Sequence, residues 1–137
     1  MGLVTTESTD KRYLTIASNG REQIELDAPI PKGGAGRDFG PHELLEAAFA
    51  ACLNMSVRMH ADAHSLPLES VSAQARLVRP AAGPVCYEYS LDLRGSLTDA
   101  QRNALMAVAE QCPVRQTLLR RIEFRLLPSG HLSHDRA

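Results

Sequence analysis

Two short runs of β-prone residues precede a long helical stretch in the first half of the chain. The runs at 13–18 and 21–26 flank Asn19-Gly20, a pair typical of a two-residue hairpin turn whose two positions both need positive φ. Residues 27–40 contain two prolines and four glycines, so we expect a loop there. The pattern predicts a β-hairpin followed by an irregular connection.

A helix is predicted from Pro41 to about Ser65, because this stretch is rich in alanine, leucine, glutamate and methionine. Pro41 suits the first helical turn, where its missing N–H breaks no hydrogen bond. At about 1.5 Å per residue the helix is roughly 36 Å long. Apolar residues cover much of its circumference between Leu44 and Met59, which indicates burial on several sides, by sheet or by a second subunit.

Alternation of apolar and polar residues predicts two strands in the second half of the chain. The first strand spans 71–77, and the second spans 85–94 after a turn rich in proline and alanine. Cys86 falls on the polar face of the second strand, beside Glu88 and Ser90, and we assign it no catalytic role.

A second helix and a last strand complete the predicted order. Residues 98–101, Thr-Asp-Ala-Gln, form a capping-box signature that opens a helix ending at Gln111 or Cys112. Pro113 disfavours helical geometry at the preceding residue, so we expect a break and a new short turn there. Residues 122–127 are typical of a strand. The predicted fold class is α+β, in the order β-β-α-β-β-α-β.

Composition indicates one ordinary globular domain, 1–137, with its core at about 12–127 and frayed, polar ends. Hydrophobic residues make up 44% and charged residues 23%, and the formal net charge is −1. Nothing in this charge favours nucleic acid or an anionic membrane as a partner, and no apolar stretch approaches the roughly 20 residues that span a bilayer. Without an export signal or a disulfide framework, we expect a cytoplasmic protein in which any disulfide is transient.

Cys52 lies within the long helical stretch and carries the first candidate thiol. Free cysteine is among the most buried residue types, so Cys52 could simply be a small core residue. The alternative is a reactive thiol in an apolar, sulfur-rich wall. The residues predicted on the same helix face are Leu45, Ala48, Phe49, Met55, Ser56 and Met59.

Cys112 carries the second candidate thiol, at the predicted break between helices. If Pro113 starts a new turn, the thiol lies near the exposed N–H groups of that turn, which favours the thiolate. Arg115 would add positive charge. The alternative is an apolar residue that merely ends the preceding helix.

Other candidate sites are weaker. His60 and His64 are spaced to share a helix face but lack a third ligand, and His131 and His134 lie in the polar tail, so we predict no metal site. The glycine-rich segment 33–36 lacks the residues of a phosphate-binding loop, and we interpret it as a flexible turn. No cofactor is predicted.

The two cysteine segments resemble those of the OsmC/Ohr family of hydroperoxide-reducing proteins. The resemblance rests on Pro-x-Glu-Leu-Leu at 41–45, Ala-Ala-Phe-Ala-Ala-Cys-Leu-x-Met at 47–55 and Ala-Glu-x-Cys-Pro-Val at 109–114, and it extends over about 23–127. It implies an OsmC-like fold: an intertwined homodimer with long central helices wrapped by antiparallel sheets.

The same resemblance implies a chemistry for the two thiols. Cys52 would be the peroxidatic cysteine, which reduces a hydroperoxide and becomes a sulfenic acid. Cys112 would then form a disulfide with it, and an external dithiol, either a lipoylated protein or a small dithiol, would reset the pair. The apolar wall around Cys52 suits an organic hydroperoxide better than hydrogen peroxide. The implied role is defence against oxidative stress.

In this family an arginine activates the peroxidatic thiol and is held by a glutamate at the start of the long helix. The position of that glutamate in the best-studied members falls on His42, and Glu43 follows it. Nine residues, about 14 Å of helix rise, separate Glu43 from Cys52, so Glu43 could serve the site only from a second subunit. Alternatively, Glu43 stabilises the helix N-terminus.

The family arginine aligns near Lys11 or Arg12, and we prefer Arg12; Arg37 and Arg58 are the alternatives. The predicted catalytic residues are therefore Cys52, Cys112, Arg12 and Glu43. The replaced glutamate keeps a second hypothesis open, in which the chain is a non-catalytic member of the fold that binds a small apolar ligand at the dimer interface.

Overall fold

The computed structural model describes residues 2–132, which form two antiparallel sheets, one long helix and two shorter ones. We name the strands β1 (Thr5–Ser8), β2 (Thr15–Ser18), β3 (Gln23–Leu26), β4 (Leu68–Val78) and β5 (Cys86–Gly95). We name the helices α1 (Pro41–Ala63), α2 (Asp99–Ala109) and α3 (Pro113–Leu118). The predicted α+β class is confirmed. Within residues 2–132, no helix combines the length and apolar character needed to cross a membrane.

The chain divides into two compact units. The first unit contains the described residues up to Leu44 and from Glu123 onward, and the second unit is Leu45–Ile122. In the first unit, β2 pairs with β1 on one side and β3 on the other, both antiparallel. In the second unit, β4 and β5 form an antiparallel hairpin that packs with α1 and α2 around an apolar core. The prediction of a single domain stays a prediction.

Helix α1 begins at Pro41, as predicted, and ends at Ala63. Its end is two residues earlier than expected because the chain turns at Ser65, whose φ is +52°. Leu66 then donates its backbone N–H to the Ala61 carbonyl at 2.8 Å, which closes the helix end. The helix that carries Cys52 is therefore continuous on both sides of the thiol.

Only one stripe of α1 is buried in the single chain, although burial on several sides was predicted. The buried residues repeat every fourth position and are Phe49, Leu53, Val57 and Ala61. Leu45, Met55 and Met59 are 46%, 58% and 67% exposed. Part of the apolar circumference that the sequence predicts to be covered therefore faces outward from this chain.

The two helices after the hairpin begin where the sequence predicts. The Thr98 hydroxyl accepts the Gln101 N–H at 3.1 Å, and the Gln101 side chain accepts the Thr98 N–H at 2.9 Å, so the predicted capping box is confirmed. Helix α2 ends at Ala109, earlier than the predicted Gln111 or Cys112. Pro113 is the first residue of α3, so the predicted break and new turn are confirmed.

The first hairpin has a longer turn than predicted. Strands β2 and β3 are separated by four residues, 19–22, and of the two predicted turn positions only Gly20 has positive φ, at +90°. The prediction of a two-residue turn is wrong because the Asn19 side chain caps the turn instead. Its Oδ1 accepts the N–H groups of Arg21 and Glu22 at 3.0 and 2.9 Å.

The predicted last strand, 122–127, is wrong for the single chain. Within residues 2–132 this segment pairs with no strand, and Phe124 and Leu126 are 96% and 99% exposed. A strand needs a neighbour to complete its hydrogen-bonding ladder, and β1, which was not predicted, has one because it pairs with β2. Part of the predicted tail, 133–137, lies outside the described residues.

Candidate functional site

The two predicted thiols belong to the core of the second unit. Cys52 lies midway along α1, is half-buried, and packs against the apolar cluster around Phe49 and Leu53. Cys112 belongs to that cluster and is fully buried. All three cysteines, including exposed Cys86, are free thiols in this structure.

Two consecutive backbone amides at the start of α3 contact the two sulfur atoms. The Val114 N–H donates to Cys52 Sγ at 3.5 Å, and the Arg115 N–H donates to Cys112 Sγ at 3.4 Å. Cys112 is the N-cap of α3, so its sulfur takes the place of the usual capping oxygen. One helical turn therefore brings together two sulfurs that are 60 residues apart in sequence.

Amide hydrogen bonds favour a thiolate over a thiol, because the charged sulfur is the stronger acceptor. The sequence predicts this effect at Cys112, from the position of Pro113. It does not predict the bond from Val114 to Cys52, because that bond joins α3 to another helix. The Cys-Pro pair that starts α3 is the signal that could have identified these amides.

Burial raises the pKa of the Cys112 thiol above its ordinary value. The backbone N–H of Arg115 opposes this shift, the neighbouring Cys52 adds to it through a hydrogen bond and through charge, and the Arg115 guanidinium lowers it again. Because the net pKa is raised, Cys112 remains a protonated thiol near neutral pH.

An aromatic cluster lies one helical turn before Cys52. The Phe49 ring packs against Tyr87 with a centroid distance of 4.9 Å and against Tyr89, edge to face, at 5.2 Å. Burial, and then the Glu46 carboxylate, raise the pKa of Tyr87. The Tyr87 hydroxyl is therefore uncharged at neutral pH.

Of the three candidate arginines, Arg58 is bound to the hairpin. Its guanidinium donates to the carbonyls of Leu68 and Glu69 at 2.8 and 3.1 Å and lies 3.6 Å from the Asp62 carboxylate. These contacts connect α1 to β4. They give Arg58 a structural role in holding the long helix on the sheet.

Arg12 and Arg37 line the same cavity of the first unit, which has a volume of about 530 Å³. Lys11 lies on the same wall, and the Arg12 guanidinium sits 5.3 Å from the centre of the Tyr13 ring. Buried Asp27 orders this region, because its carboxylate accepts the N–H groups of Ala28 and Ala35, both at 2.8 Å. The hydrogen bond to Asp27 therefore fixes the backbone of the glycine-rich segment at Ala35.

Glu43 stabilises the start of α1. Its Oε1 accepts the N–H of Gly40 at 3.1 Å, which is the carboxylate half of a capping box. Like Arg12, Glu43 belongs to the first unit. This contact agrees with the alternative role that the sequence leaves open for Glu43.

The histidine pair of α1 forms a stack. The rings of His60 and His64 lie 4.0 Å apart, and His64 Nδ1 is 3.0 Å from the His60 carbonyl oxygen. Among residues 2–132, no group of three or more side chains has the composition and spacing to hold a metal ion. His131 is exposed, and His134 lies outside the described residues.

Comparison with known proteins agrees with the fold and with the cysteine segments. The sequence model of the OsmC-like protein family matches residues 33–126, which include both Cys52 and Cys112. This chain therefore belongs to the OsmC-like family. No protein with a curated description is similar enough in sequence to be recognised as a relative.

Solved structures of low sequence identity share the fold. An OsmC-like protein of Mycoplasma pneumoniae matches with a TM-score of 0.72 and 17% identity, covering 86% of each chain. An organic hydroperoxide resistance protein OsmC of Legionella pneumophila has a TM-score of 0.62 and 23% identity, covering 87% of this chain and 89% of its own. The organic hydroperoxide resistance protein OhrB of Bacillus subtilis has a TM-score of 0.58 and 18% identity, covering 87% and 90%.

Proposed function

We propose that this protein is a thiol peroxidase that reduces organic hydroperoxides through Cys52 and Cys112. The observation that carries the proposal is the pair of adjacent α3 amides, from Val114 and Arg115, that donate to the two sulfurs. Two similar structures are named organic hydroperoxide resistance proteins, which supports the substrate class. We expect the reaction in the cytoplasm, where dithiols are kept reduced.

Cys52 performs the first step in this proposal. Its thiolate attacks the terminal oxygen of the hydroperoxide, the O–O bond breaks, and the departing alkoxide takes a proton to become an alcohol. Cys52 is left as a sulfenic acid. The Val114 N–H stabilises the thiolate before the attack, and the half-buried position of Cys52 gives the substrate access that Cys112 lacks.

Cys112 performs the second step. Its sulfur attacks the sulfenic sulfur of Cys52, an S–S bond forms, the S–O bond breaks, and the thiol proton and the hydroxyl leave as water. Rapid resolution protects Cys52 from oxidation to the sulfinic acid. An external dithiol then reduces the disulfide by two successive exchanges and is itself oxidised.

We assign the activation of the Cys52 thiolate to Arg12, held by Glu43. Glu43 is about nine residues of helix away from Cys52, so this assignment requires a homodimer in which one subunit serves the other's thiol. The exposed apolar residues Met55 and Met59 of α1 support such a dimer, as do the exposed Phe124 and Leu126.

The apolar surroundings of the thiols favour an organic substrate. Cys52 packs against the buried apolar cluster that contains Phe49 and Leu53, and Tyr87 packs against the same cluster. An alkyl or aryl hydroperoxide removes apolar surface from water when it binds there, which makes its binding free energy more favourable. Hydrogen peroxide has no apolar surface to bury and gains no such binding energy.

The test is to add cumene hydroperoxide to the reduced protein and to count free thiols. We expect a loss of two thiols per chain in the wild type and in Cys86→Ser, the matched control, and no disulfide in Cys52→Ser. Cys112→Ser should lose the Cys52 thiol as a sulfenic acid that a dimedone-type reagent traps. Unchanged thiols in the wild type would reject the proposal.

A second function, binding of a small apolar ligand without catalysis, is favoured by a groove of about 620 Å³ in the second unit. The residues that line it are Ser56, Met59, His60, Ala107, Val108 and Gln111. His42, at the position of the family glutamate, also favours this function. It predicts saturable binding of an apolar fluorophore that Cys52→Ser does not change, with no consumption of hydroperoxide.

A further inference from the structure

The junction between α2 and α3 is braced on both sides of Cys112. The Arg115 guanidinium donates through Nη1 to the Glu110 carbonyl oxygen at 2.6 Å. The Gln116 side chain donates to the Gln111 side chain at 3.2 Å. Both bonds connect the first turn of α3 to the residues just after α2, so the backbone that carries Cys112 is held in a closed loop.

Arg115 also acts on Cys112 directly. Its backbone N–H donates to Cys112 Sγ, and its positive charge lowers the pKa of the same thiol. Within residues 2–132, the guanidinium forms no ion pair with a carboxylate. Its positive charge is therefore not neutralised by a nearby side chain, and it is available to a sulfur anion.

We propose that Arg115 is a positioning residue for the resolving step, in which it both holds Cys112 against the oxidised Cys52 and stabilises the attacking sulfur as an anion. This inference rests on the proposed function. It differs from the assignment of Arg12, which concerns the peroxidatic thiolate of Cys52. Arg115 donates to the Cys112 sulfur and the Glu110 carbonyl oxygen, so it acts through Cys112.

The chemistry of the step explains why charge at this position matters. Cys112 must lose its proton as its sulfur bonds to the sulfenic sulfur of Cys52, and the hydroxide that leaves takes up the proton as water. The only oxidant is the hydroperoxide already consumed in the first step. Burial disfavours the anion of Cys112, and Arg115 opposes burial through its amide and its charge.

The other groups around Cys112 do not supply this charge. From α1, Cys52 raises the pKa of Cys112 rather than lowering it. From the hairpin, Tyr87 packs against the same core and is uncharged near neutral pH because its own pKa is raised. Within the described residues of the second unit, Arg115 is thus the cation that lowers the pKa of Cys112.

The experiment follows the resolving step separately from the peroxidatic step. Reduced protein receives one equivalent of cumene hydroperoxide in a rapid-mixing instrument, and sulfenic acid and disulfide are quantified by mass spectrometry after quenching at increasing times. The series runs from mildly acidic to alkaline pH. The variants are Arg115→Gln and Arg115→Met, which remove the charge, Arg115→Lys, which keeps it, and Gln116→Ala, which removes only the other brace.

We expect the neutral variants to form sulfenic acid at the wild-type rate and to convert it to disulfide several-fold more slowly near neutral pH, because they lack the charge that favours the Cys112 anion. At pH values above the pKa of Cys112 in every variant, the rates should converge. Arg115→Lys should restore the wild-type pH profile, and Gln116→Ala should keep it.

Two results would overturn the inference. One is a wild-type pH profile of disulfide formation in both Arg115→Gln and Arg115→Met. The other is an equal slowing at every pH that Arg115→Lys does not restore, because that pattern marks a purely structural brace. Neither result touches the proposed function, which fails only if the wild-type protein itself forms no sulfenic acid and no disulfide.

Discussion

Replacement of Phe49 by alanine should destabilise the second unit strongly. Phe49 is 2% exposed, lies in the buried stripe of α1, and packs against the rings of Tyr87 and Tyr89. A buried Phe→Ala change costs about 3–5 kcal/mol through lost burial and the cavity that remains. Part of this cost comes from the two aromatic pairs, each worth about 0.5–1.5 kcal/mol beyond its buried area.

The size of the shift can be worked out for thermal unfolding. A chain of 137 residues has an unfolding entropy of about 0.29 kcal/mol/K at about 2.1 cal/mol/K per residue. A loss of about 4 kcal/mol therefore lowers the Tm by about 14 °C. Phe49→Leu keeps most of the buried volume but removes the ring contacts, so it should cost about 1–2 kcal/mol.

Thermal unfolding monitored by circular dichroism, at one fixed protein concentration, measures both changes as shifts of the Tm. Urea unfolding measures them as shifts of the midpoint concentration and also gives the slope of the free energy against urea. An unchanged slope would show that the compactness of the native and unfolded states is the same in both variants. A loss below about 1 kcal/mol in Phe49→Ala would refute the reasoning, since it would mean that the ring is not closely packed. Equal losses for alanine and leucine would show that the aromatic contacts, rather than the volume, determine the effect.

Three further predictions concern other parts of the chain. Thr98→Ala removes the hydroxyl of the capping box and should lower the free energy of unfolding by about 1 kcal/mol, measured by urea unfolding; no change would show that the cap is not formed in solution. The pKa of Cys112 is higher in the folded protein than in the unfolded chain, so the protonated thiol stabilises the folded state. This contribution is fully present below the pKa of an unfolded cysteine and is lost as the pH rises through the higher folded pKa. The reduced protein should therefore lose stability at alkaline pH more steeply than Cys112→Ala, and parallel curves would contradict this. Gly34→Ala should destabilise the first unit by more than about 2 kcal/mol, because a Cβ at this position would overlap the Ala28 carbonyl oxygen. Gly2→Ala is the control: a Cβ at Gly2 would meet no other atom, so this variant should have no effect in the same urea assay.

The helix starts could be predicted well because local chemistry determines them. Thr98 and Gln101 satisfy each other's backbone groups within one turn, and Pro113 fixes the start of α3 from its own ring geometry. Neither signal depends on distant parts of the chain. The position of Cys112 at a helix start followed from the same local reasoning.

The strands predicted at 71–77 and 85–94 are present as β4 and β5. The strand-like segments near the two ends of the chain and the turn at Asn19 were harder to predict because they depend on partners. Residues 5–8 are polar and exposed, and they form β1 only because β2 lies beside them. The segment containing Phe124 and Leu126 has a strand-like pattern but no neighbouring strand among the described residues. At Asn19, the side-chain oxygen accepts backbone N–H groups and forms a longer turn than the expected two-residue hairpin turn. The Asn-Gly pair occurs in both kinds of turn, so it does not distinguish them by itself.

The candidate site was predicted only in part for the same reason. The pattern identified both cysteines, and the first turn of α3 was expected near Cys112. The bond from the Val114 amide to Cys52 needs the packing of α3 against α1, which no local signal encodes. The bond from the Arg115 guanidinium to Glu110 likewise depends on how the chain bends at Pro113.

The buried stripe of α1 diminishes in size along its length, from Phe49 through Leu53 and Val57 to Ala61. Successive members are four residues apart, so each is rotated by about 40° from the last, and the row precesses by about 120° around the axis. A helix with such a row approaches its neighbours most closely at the alanine end and crosses them obliquely. Side-chain volume in the buried row is therefore largest at Phe49, three residues before Cys52, and smallest at Ala61, nine residues beyond it.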